Sequence, residues 1–261
     1  MIKEAIILAG GLGTRLRSVV ADVPKCMAPV NGIPFINFVI SYLKNEGIER
    51  FVLSLGYKSE IVIDYVNKTF KNIDIEYVVE DKPLGTGGAI KLACRKVKGI
   101  DVLILNGDTL FNIDIKRFSE WHKDKQADFT AALKEMKDFS RYGSVELDAD
   151  FLLIAFNEKK FCSTGFINGG VYALNTKALL QEDLPEIFSF EKDFLEKKIG
   201  HKKFYGLPCD NYFIDIGIPE DYNRFIDDYK LILFNNKLKQ TGGSDNFISG
   251  LFFEGLTDLF I

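Results

Sequence analysis

The sequence predicts an α/β fold in which a doubly wound, mostly parallel sheet is followed by a smaller antiparallel lobe. Short apolar runs alternate with segments of helical spacing as far as residue 126, which is typical of a parallel sheet with helices on both faces. Beyond that point the apolar runs are more typical of antiparallel hairpins. In addition, the first apolar run, AIILA, breaks directly into the glycine-rich turn GGLGTR, as expected where a ligand binds at the end of a buried strand.

The first half of the chain, residues 1–126, alternates expected strands with expected helices. Continuous apolar runs predict strands at Ala5–Leu8, Phe51–Leu55, Ile75–Glu80 and Val102–Leu105. Apolar residues at helical spacing predict helices at Pro34–Asn45, Ser59–Thr69, Gly88–Val97 and Ile115–Lys125. The segment DKPLGTGG, between the third strand and its helix, is expected to break the regular structure.

The second half, residues 127–234, carries the antiparallel patterns. Strands are expected at 128–136 and 165–175, with a hairpin over 144–160 that turns at 148–150. A helical segment near Phe190–Lys198, an extended segment at 204–217 and a helix at Pro219–Leu233 follow. We therefore predict one domain, residues 1–234, made of two halves. The tail, residues 235–261, has no assigned role, but exposed phenylalanines in GLFFEGLTDLFI would favour burial in a homo-oligomer.

Composition excludes several classes of protein. The chain has 261 residues, a net charge of −4 and no long basic run, which argues against nucleic-acid and anionic-membrane partners. Its four cysteines lack CxxC spacing and are far in sequence from the two histidines, so neither a zinc site nor a disulfide framework is indicated. No apolar run is long enough to span a bilayer, and no signal-peptide pattern precedes the first strand. We expect a cytoplasmic protein.

The glycine turn has the composition of a polyphosphate site. Gly10, Gly11 and Gly13 allow backbone N–H groups to approach a phosphate, while Arg15 supplies a permanent positive charge. The spacing fits neither the dinucleotide fingerprint GxGxxG nor the P-loop GxxxxGK[ST]. A second cation, Lys25, follows in a proline-punctuated segment that could return over the turn. A plain tight turn with a solvated arginine remains the alternative for these residues taken alone.

Two segments together identify a family. LAGGLGTRL followed by PKCMAPVNGIPF resembles the signature of the sugar-1-phosphate nucleotidyltransferases, which make nucleotide sugars, although Cys26 stands where that signature usually has a second proline. The resemblance implies the nucleotide-diphospho-sugar transferase fold, a Rossmann-like sheet with a smaller sugar-binding lobe. It also implies Mg²⁺ as cofactor, and a nucleoside triphosphate and a sugar 1-phosphate as substrates.

The resemblance assigns roles along roughly residues 3–225. The expected nucleotide-binding residues are Leu8, Ala9, Gly10, Gly11, Gly13, Thr14, Arg15, Glu80, Pro83, Gly85, Thr86 and Asn106. The expected sugar-phosphate-binding residues are Gly143, Glu158, Lys159, Asn168 and Gly169. Asp108 and Asp215 are the expected metal ligands, and Arg15, Lys25 and Asp108 are the expected catalytic residues.

The chemistry of nucleotidyl transfer makes these residue types intelligible. Attack of a sugar phosphate on an α-phosphorus brings two anions together, so it needs charge neutralisation and in-line positioning more than proton transfer. Mg²⁺ held by carboxylates, together with fixed cationic side chains, supplies both the charge neutralisation and the positioning. No covalent nucleophile is needed. Taken singly, Asp108 and Asp215 could be ordinary turn residues, and Lys159 could be a solvated charge.

The segment EDKPLGTGGAI, residues 80–90, is the base loop that the resemblance implies, and it favours GTP. Guanine presents two N–H donors on one edge, which a carboxylate such as Glu80 could accept together, whereas uracil or thymine would better suit an amide. PLGTGGAI resembles the guanylyltransferase branch, and LRSVVADVPKCMAPVNGIPF and FIDIGIPEDY resemble the members of that branch that act on heptose 1-phosphates. The alternatives are a mannose-1-phosphate guanylyltransferase, a uridylyltransferase for N-acetylmuramate or glucose 1-phosphate, and a non-catalytic nucleotide-sugar sensor. An NAD-dependent oxidoreductase is disfavoured by the glycine spacing.

Overall fold

The computed structural model describes residues 1–11, 13–16, 19–20, 23–157 and 159–240. Its strands are β1 (Glu4–Ala9), β2 (Pro29–Val30), β3 (Ile33–Pro34), β4 (Arg50–Leu55), β5 (Asp74–Val79), β6 (Asp101–Asn106), β7 (Thr109–Phe111), β8 (Phe129–Phe139), β9 (Ser144–Leu147), β10 (Leu153–Phe156), β11 (Cys162–Asn175), β12 (Phe204–Pro208) and β13 (Phe213–Asp215). Its α-helices are α1 (Phe35–Asn45), α2 (Ser59–Thr69), α3 (Gly85–Cys94), α4 (Ile115–Asp124), α5 (Thr176–Leu180), α6 (Glu196–Lys198) and α7 (Pro219–Gln240).

The centre of the fold is a parallel sheet of the order β6-β1-β4-β5. Ile7 of β1 pairs with Leu105 on one side and with Leu53 on the other, so the ends of these strands lie level. The carboxyl ends of parallel strands form the edge at which α/β proteins bind ligands. The glycine turn after β1 therefore lies at that edge, as the sequence predicts.

Each face of the sheet is covered by its own core. Ile7 and Leu53 belong to a cluster that includes the buried side chains of α1 and α2, whereas Ile6 and Val52 belong to one that includes those of α3. This alternation explains the continuous apolar runs, because the side chains on both faces of such a strand are buried and therefore apolar. The predicted doubly wound architecture is confirmed.

The second half of the chain extends the same sheet. The long strand β11 pairs antiparallel with β6 through Val171–Asn175, and with β8 and β9 farther along. The register between β11 and β8 shifts between Asn168 and Tyr172. The predicted antiparallel lobe is therefore continuous with the parallel core. One strand differs from the expected pattern, because β12 joins the outer side of β8 in parallel.

The predicted boundaries of two helices are wrong. Helix α3 spans Gly85–Cys94 rather than Gly88–Val97, so the glycines expected in a break form its first turn. A Cβ on Gly85 would lie 2.5 Å from the Phe188 carbonyl oxygen, and one on Gly88 would lie 2.4 Å from that of Glu186. The glycines are thus required by a backbone segment packed directly on the helix.

Helix α7 continues to Gln240, beyond the predicted end at Leu233, because no glycine or proline interrupts the sequence before Gly242. The predicted helical segment near Phe190–Lys198 forms as a π-helical turn, Phe190–Leu195, that continues into α6. Residues 241–261, which make up most of the tail, lie outside the described residues. Among the helices of the described ranges, none combines the length and the apolar character that a membrane crossing requires.

Candidate active site

A cavity of about 740 Å³ lies at the carboxyl edge of the parallel strands. Its walls include the following predicted residues: Leu8, Ala9, Gly10, Gly11, Lys25, Glu80, Pro83, Gly85, Thr86, Asn106 and Asp108. They come from the ends of β1, β5 and β6, from the start of α3 and from the turn that holds Lys25. The structure therefore brings most of the predicted nucleotide-binding residues to one concave surface.

Lys25 is the centre of the predicted catalytic group. Its Nζ donates a short hydrogen bond to Asp108 Oδ2 and lies 3.4 Å from Asp215 Oδ1. The Lys25 side chain is only 12% exposed, while those of Asp108 and Asp215 are 31% and 27% exposed. The two carboxylates thus enclose the ammonium group, and Asp108 also lines the cavity.

A small two-stranded ribbon holds the two aspartates together. Asp108 precedes β7 and Asp215 ends β13, and in this antiparallel ribbon Asp215 pairs with Thr109. The Ile216 N–H donates to the Asp108 carbonyl oxygen at 3.0 Å, and the Gly217 N–H donates to Asp215 Oδ1 at 2.7 Å. Residues far apart in sequence are therefore fixed side by side by backbone pairing.

The glycine turn packs directly on Lys25. Gly13 has φ +57°, a conformation that favours glycine, and a Cβ at this position would lie 2.9 Å from the Lys25 Cβ. Arg15 follows on the short 3-10 turn Thr14–Leu16 and is exposed. Gly13 is not among the residues that line the cavity, but it packs on Lys25, which does.

The charges in this corner affect one another. Burial, followed by the charge of Asp108, raises the pKa of Asp215, and Lys25 only partly opposes this shift. Burial and Asp108 also raise the pKa of the Cys26 thiol to about 12. Two carboxylates that share one ammonium group retain net negative charge, so the site can accept a further cation.

The base loop is fixed by its own carboxylate. Glu80 Oε2 accepts a hydrogen bond from the Leu84 N–H at 2.9 Å, and a Cβ on Gly10 would lie 3.1 Å from Glu80 Oε1. Thr86 Oγ1 donates to Glu191 at 2.8 Å and accepts from the Phe190 N–H at 2.9 Å. The Thr86 hydroxyl therefore anchors α3 to the π-helical turn, and its predicted contact with nucleotide remains a prediction.

The predicted sugar-side residues lie beside the ribbon. Asn168 donates from Nδ2 to the Tyr172 hydroxyl at 2.8 Å and accepts the Gly170 N–H on Oδ1 at 3.0 Å. A Cβ on Gly169 would lie 2.4 Å from the ring of Phe111 in β7, which shows how closely this part of β11 approaches the ribbon. A Cβ on Gly170 would similarly lie 2.7 Å from Asn106 Nδ2, so the cavity and the sugar side meet at this part of β11.

The other sugar-side residues come from two connections. Gly143, between β8 and β9, packs on the Asn157 carbonyl, since a Cβ there would lie 2.4 Å from that oxygen. Lys159 is exposed in the connection between β10 and β11. Glu158 lies outside the described residues.

Comparison with known proteins identifies the family of this chain. The model of the nucleotidyl transferase family matches residues 4–230. The chain belongs to this family. The D-glycero-alpha-D-manno-heptose 1-phosphate guanylyltransferase of Aneurinibacillus thermoaerophilus is 52% identical over 221 residues, which are 85% of this chain and 96% of that relative. The protein of the same description from Campylobacter jejuni is 46% identical over 225 residues, 85% of this chain and 98% of the relative.

A solved structure agrees with these relatives. HddC from Yersinia pseudotuberculosis, complexed with GMP-PN, is 41% identical and superposes with a TM-score of 0.79 over 87% of this chain and 100% of that one. The expected family and the nucleotide-diphospho-sugar transferase fold are therefore confirmed, and the chain is an enzyme of the nucleotidyltransferase class.

Within this family site, sequence reasoning missed one wall of the cavity. Ser54, Gly56 and Tyr57 follow or end β4, and they line the cavity beside the glycine turn. A Cβ on Gly56 would lie 2.9 Å from the Gly10 carbonyl oxygen. The signal was present, because β4 is a parallel strand whose carboxyl end must lie at the same edge as that of β1.

Asp108 and Asp215 have the chemistry that a hard divalent cation requires. Carboxylate oxygens are the ligands that Mg²⁺ prefers, and these two converge on one positively charged atom. In the described ranges of the chain, no group of three or more His, Cys, Asp or Glu side chains could hold a metal ion. A pair of carboxylates suits Mg²⁺, because this ion commonly keeps waters and binds substrate phosphates.

Proposed function

We propose that this enzyme transfers a guanylyl group from GTP to D-glycero-α-D-manno-heptose 1-phosphate, which yields GDP-heptose and pyrophosphate. The observation that carries the proposal is the enclosure of Lys25 by Asp108 and Asp215 next to a glycine-lined cavity. The relatives from Aneurinibacillus thermoaerophilus and Campylobacter jejuni support the heptose substrate, and the GMP-PN complex of HddC supports the guanine nucleotide.

The glycine turn and Arg15 hold the leaving pyrophosphate. Gly10 and Gly11 line the cavity and have no side chains that would keep a phosphate from the backbone, and the exposed Arg15 guanidinium can follow the β- and γ-phosphates. Permanent charge and a planar set of donors suit this residue to a leaving group that gains negative charge during the reaction. The turn therefore binds the part of GTP that departs.

Lys25 stabilises the transferred group. Its ammonium is largely buried and fixed by two carboxylates, so little reorganisation is needed when charge develops on the α-phosphate. Asp108 and Asp215 would hold Mg²⁺, which when bound neutralises phosphate charge and favours in-line attack. The sugar phosphate oxygen itself is the nucleophile, and no protein side chain forms a covalent bond.

Glu80 provides the guanine preference. One of its oxygens already supports the loop through Leu84, but a carboxylate has further acceptor sites for the two N–H donors of guanine. The same residue would thus fix the loop and recognise the base. A uracil ring offers only one N–H donor at the corresponding edge and would satisfy this carboxylate less well.

Sugar binding is assigned to the ribbon side of the site. Lys159 is the candidate for the sugar phosphate and Glu158 for sugar hydroxyls, and Gly143, Asn168 and Gly169 are the other proposed sugar-phosphate-binding residues. GDP-heptose is an activated sugar donor, so we place the enzyme in the biosynthesis of a surface polysaccharide. The need for GTP places the reaction in the cytoplasm.

Pyrophosphate release tests the proposal. Purified enzyme with Mg²⁺ is assayed with each of ATP, CTP, GTP, UTP and dTTP against heptose, mannose, glucose and N-acetylmuramate 1-phosphates. We expect the highest rate with GTP and heptose 1-phosphate, loss of activity with EDTA and no turnover by Asp108→Asn. The highest rate with mannose 1-phosphate or with UTP would overturn the proposed substrates, and no release with any pair would favour a nucleotide-sugar sensor.

A further inference from the structure

The connection between β8 and β9 lies against the ribbon that carries Asp215. The ring of Tyr142 contacts the ring of Phe213, with centroids 6.1 Å apart and planes at 75°. Phe213 and Asp215 are two residues apart in β13, so their side chains project from the same face of the strand. Tyr142 and its neighbour Arg141 therefore lie on the Asp215 side of the ribbon.

The Arg141 guanidinium is held from two directions. Its Nη2 donates to Asp221 Oδ2 at 2.5 Å and to the Tyr142 hydroxyl at 3.3 Å, and its Cζ lies 5.4 Å from the centroid of the Tyr142 ring. Asp221, in the first turn of α7, has a side chain only 12% exposed. A long side chain that is fixed in this way loses little additional entropy when it binds a ligand.

The same guanidinium still faces solvent. Its side chain is 44% exposed, and both hydrogen bonds that it makes to described residues use Nη2. An arginine has five N–H donors, so Nε and Nη1 are available to an oxyanion. Arg141 is thus fixed at one end and open at the other.

The negative charge of Asp108 and Asp215 explains why an incoming sugar phosphate would need Arg141. A sugar 1-phosphate must approach Asp108 and Asp215, and Lys25 offsets only part of their negative charge. Burial and then the charge of Asp215 raise the pKa of Tyr142 to about 12, so this phenol stays protonated and the loop lies within electrostatic reach of Asp215. A guanidinium at the same loop would offset the repulsion of the incoming phosphate.

We propose that Arg141 binds the phosphate of the sugar 1-phosphate and that Asp221 is its positioning residue. The inference rests on the proposed function and adds a cation to the sugar-phosphate side of the site. The competing explanation is a purely structural ion pair that ties the β8–β9 connection to α7.

Steady-state kinetics of four variants separate these explanations. Arg141→Ala should raise the KM for heptose 1-phosphate about 10- to 100-fold while the KM for GTP changes less than about twofold. Arg141→Lys keeps the charge and should raise the same KM about 3- to 10-fold, because lysine lacks the planar fork. Asp221→Asn should shift it in the same direction, also by about 3- to 10-fold.

Arg224→Ala is the matched control. Arg224 is also exposed and also pairs with Asp221, at 3.3 Å, but from within α7. Its removal should change both KM values by less than about twofold. Millimolar guanidinium ion should partly restore the activity of Arg141→Ala and leave Arg224→Ala unchanged.

Two results would overturn the inference. One is an Arg141→Ala enzyme that melts at a lower temperature but keeps its KM for heptose 1-phosphate; the other is an equal effect of Arg141→Ala and Arg224→Ala. If the wild-type enzyme releases no pyrophosphate, the proposed function fails separately. The inference is then decided by equilibrium binding of heptose 1-phosphate, which Arg141→Ala must weaken at least about tenfold.

Discussion

Replacing Gly13 with alanine tests whether the glycine turn sets the position of Lys25. Gly13 has φ +57°, and a non-glycine residue in this conformation costs about 1–2 kcal/mol. For a chain of this size that cost lowers Tm by about 2–8 °C. In addition, the new Cβ would lie 2.9 Å from the Lys25 Cβ, so Lys25 must shift. Since small displacements of a positioned group are expensive in catalysis, kcat/KM should fall on the order of 10- to 100-fold.

Gly200→Ala provides the control for backbone strain alone. Gly200 has φ +80°, and a Cβ there would meet no atom within 4 Å. It should lower Tm by a similar amount, while kcat/KM at a temperature well below Tm stays at the wild-type value. Thermal melts and pyrophosphate release on both variants are the assay. Equal activities of the two variants would refute the idea that Gly13 is needed for the position of Lys25.

Three further predictions concern charge and chemistry at the site. The folded-state pKa of Asp215 is raised, so its ionised form destabilises the protein above the unfolded pKa of about 4. Asp215→Asn should therefore raise Tm at pH 7 while it abolishes turnover, and the gain in Tm should vanish as the pH falls towards 4. Thermal melts across this pH range are the measurement, and a Tm of the variant below that of the wild type at neutral pH would contradict the prediction. Glu80→Gln should reduce the ratio of kcat/KM for GTP over UTP by about tenfold, and an unchanged ratio would remove Glu80 from base recognition. Burial raises the pKa of the Cys26 thiol to about 12, so this thiol should resist iodoacetamide at pH 8 in the folded enzyme. Peptide mass mapping that finds Cys26 alkylated would show that the turn is more accessible than the structure indicates.

The elements predicted well are those with a strong local signal. Strands β1, β4 and β6 read as continuous apolar runs because helices cover both faces of the sheet. The start of α3 lacked such a signal, since Gly85 and Gly88 resemble loop glycines until the backbone of Phe188 and Glu186 is seen to pack on them. This contact joins segments about a hundred residues apart and leaves no local periodicity.

The candidate site likewise contains residues that the sequence predicts and residues that it does not. The family resemblance predicts the roles of Lys25, Asp108 and Asp215, and the ribbon that holds the two aspartates explains how these residues come together. Arg141 has no such sequence signal, because a lone arginine in a connecting loop resembles a solvated surface charge. Only the hydrogen bond to Asp221 and the approach of the loop to the ribbon distinguish it.

Transfer of the α-phosphate label tests the central claim most directly. The enzyme is incubated with [α-³²P]GTP, Mg²⁺ and D-glycero-α-D-manno-heptose 1-phosphate, and the products are separated and weighed by mass spectrometry. The account predicts label in a product with the mass of GDP-heptose, formed together with unlabelled pyrophosphate, and none of it with Asp108→Asn. Label that stays in GTP or appears as GMP would contradict guanylyl transfer to this sugar phosphate.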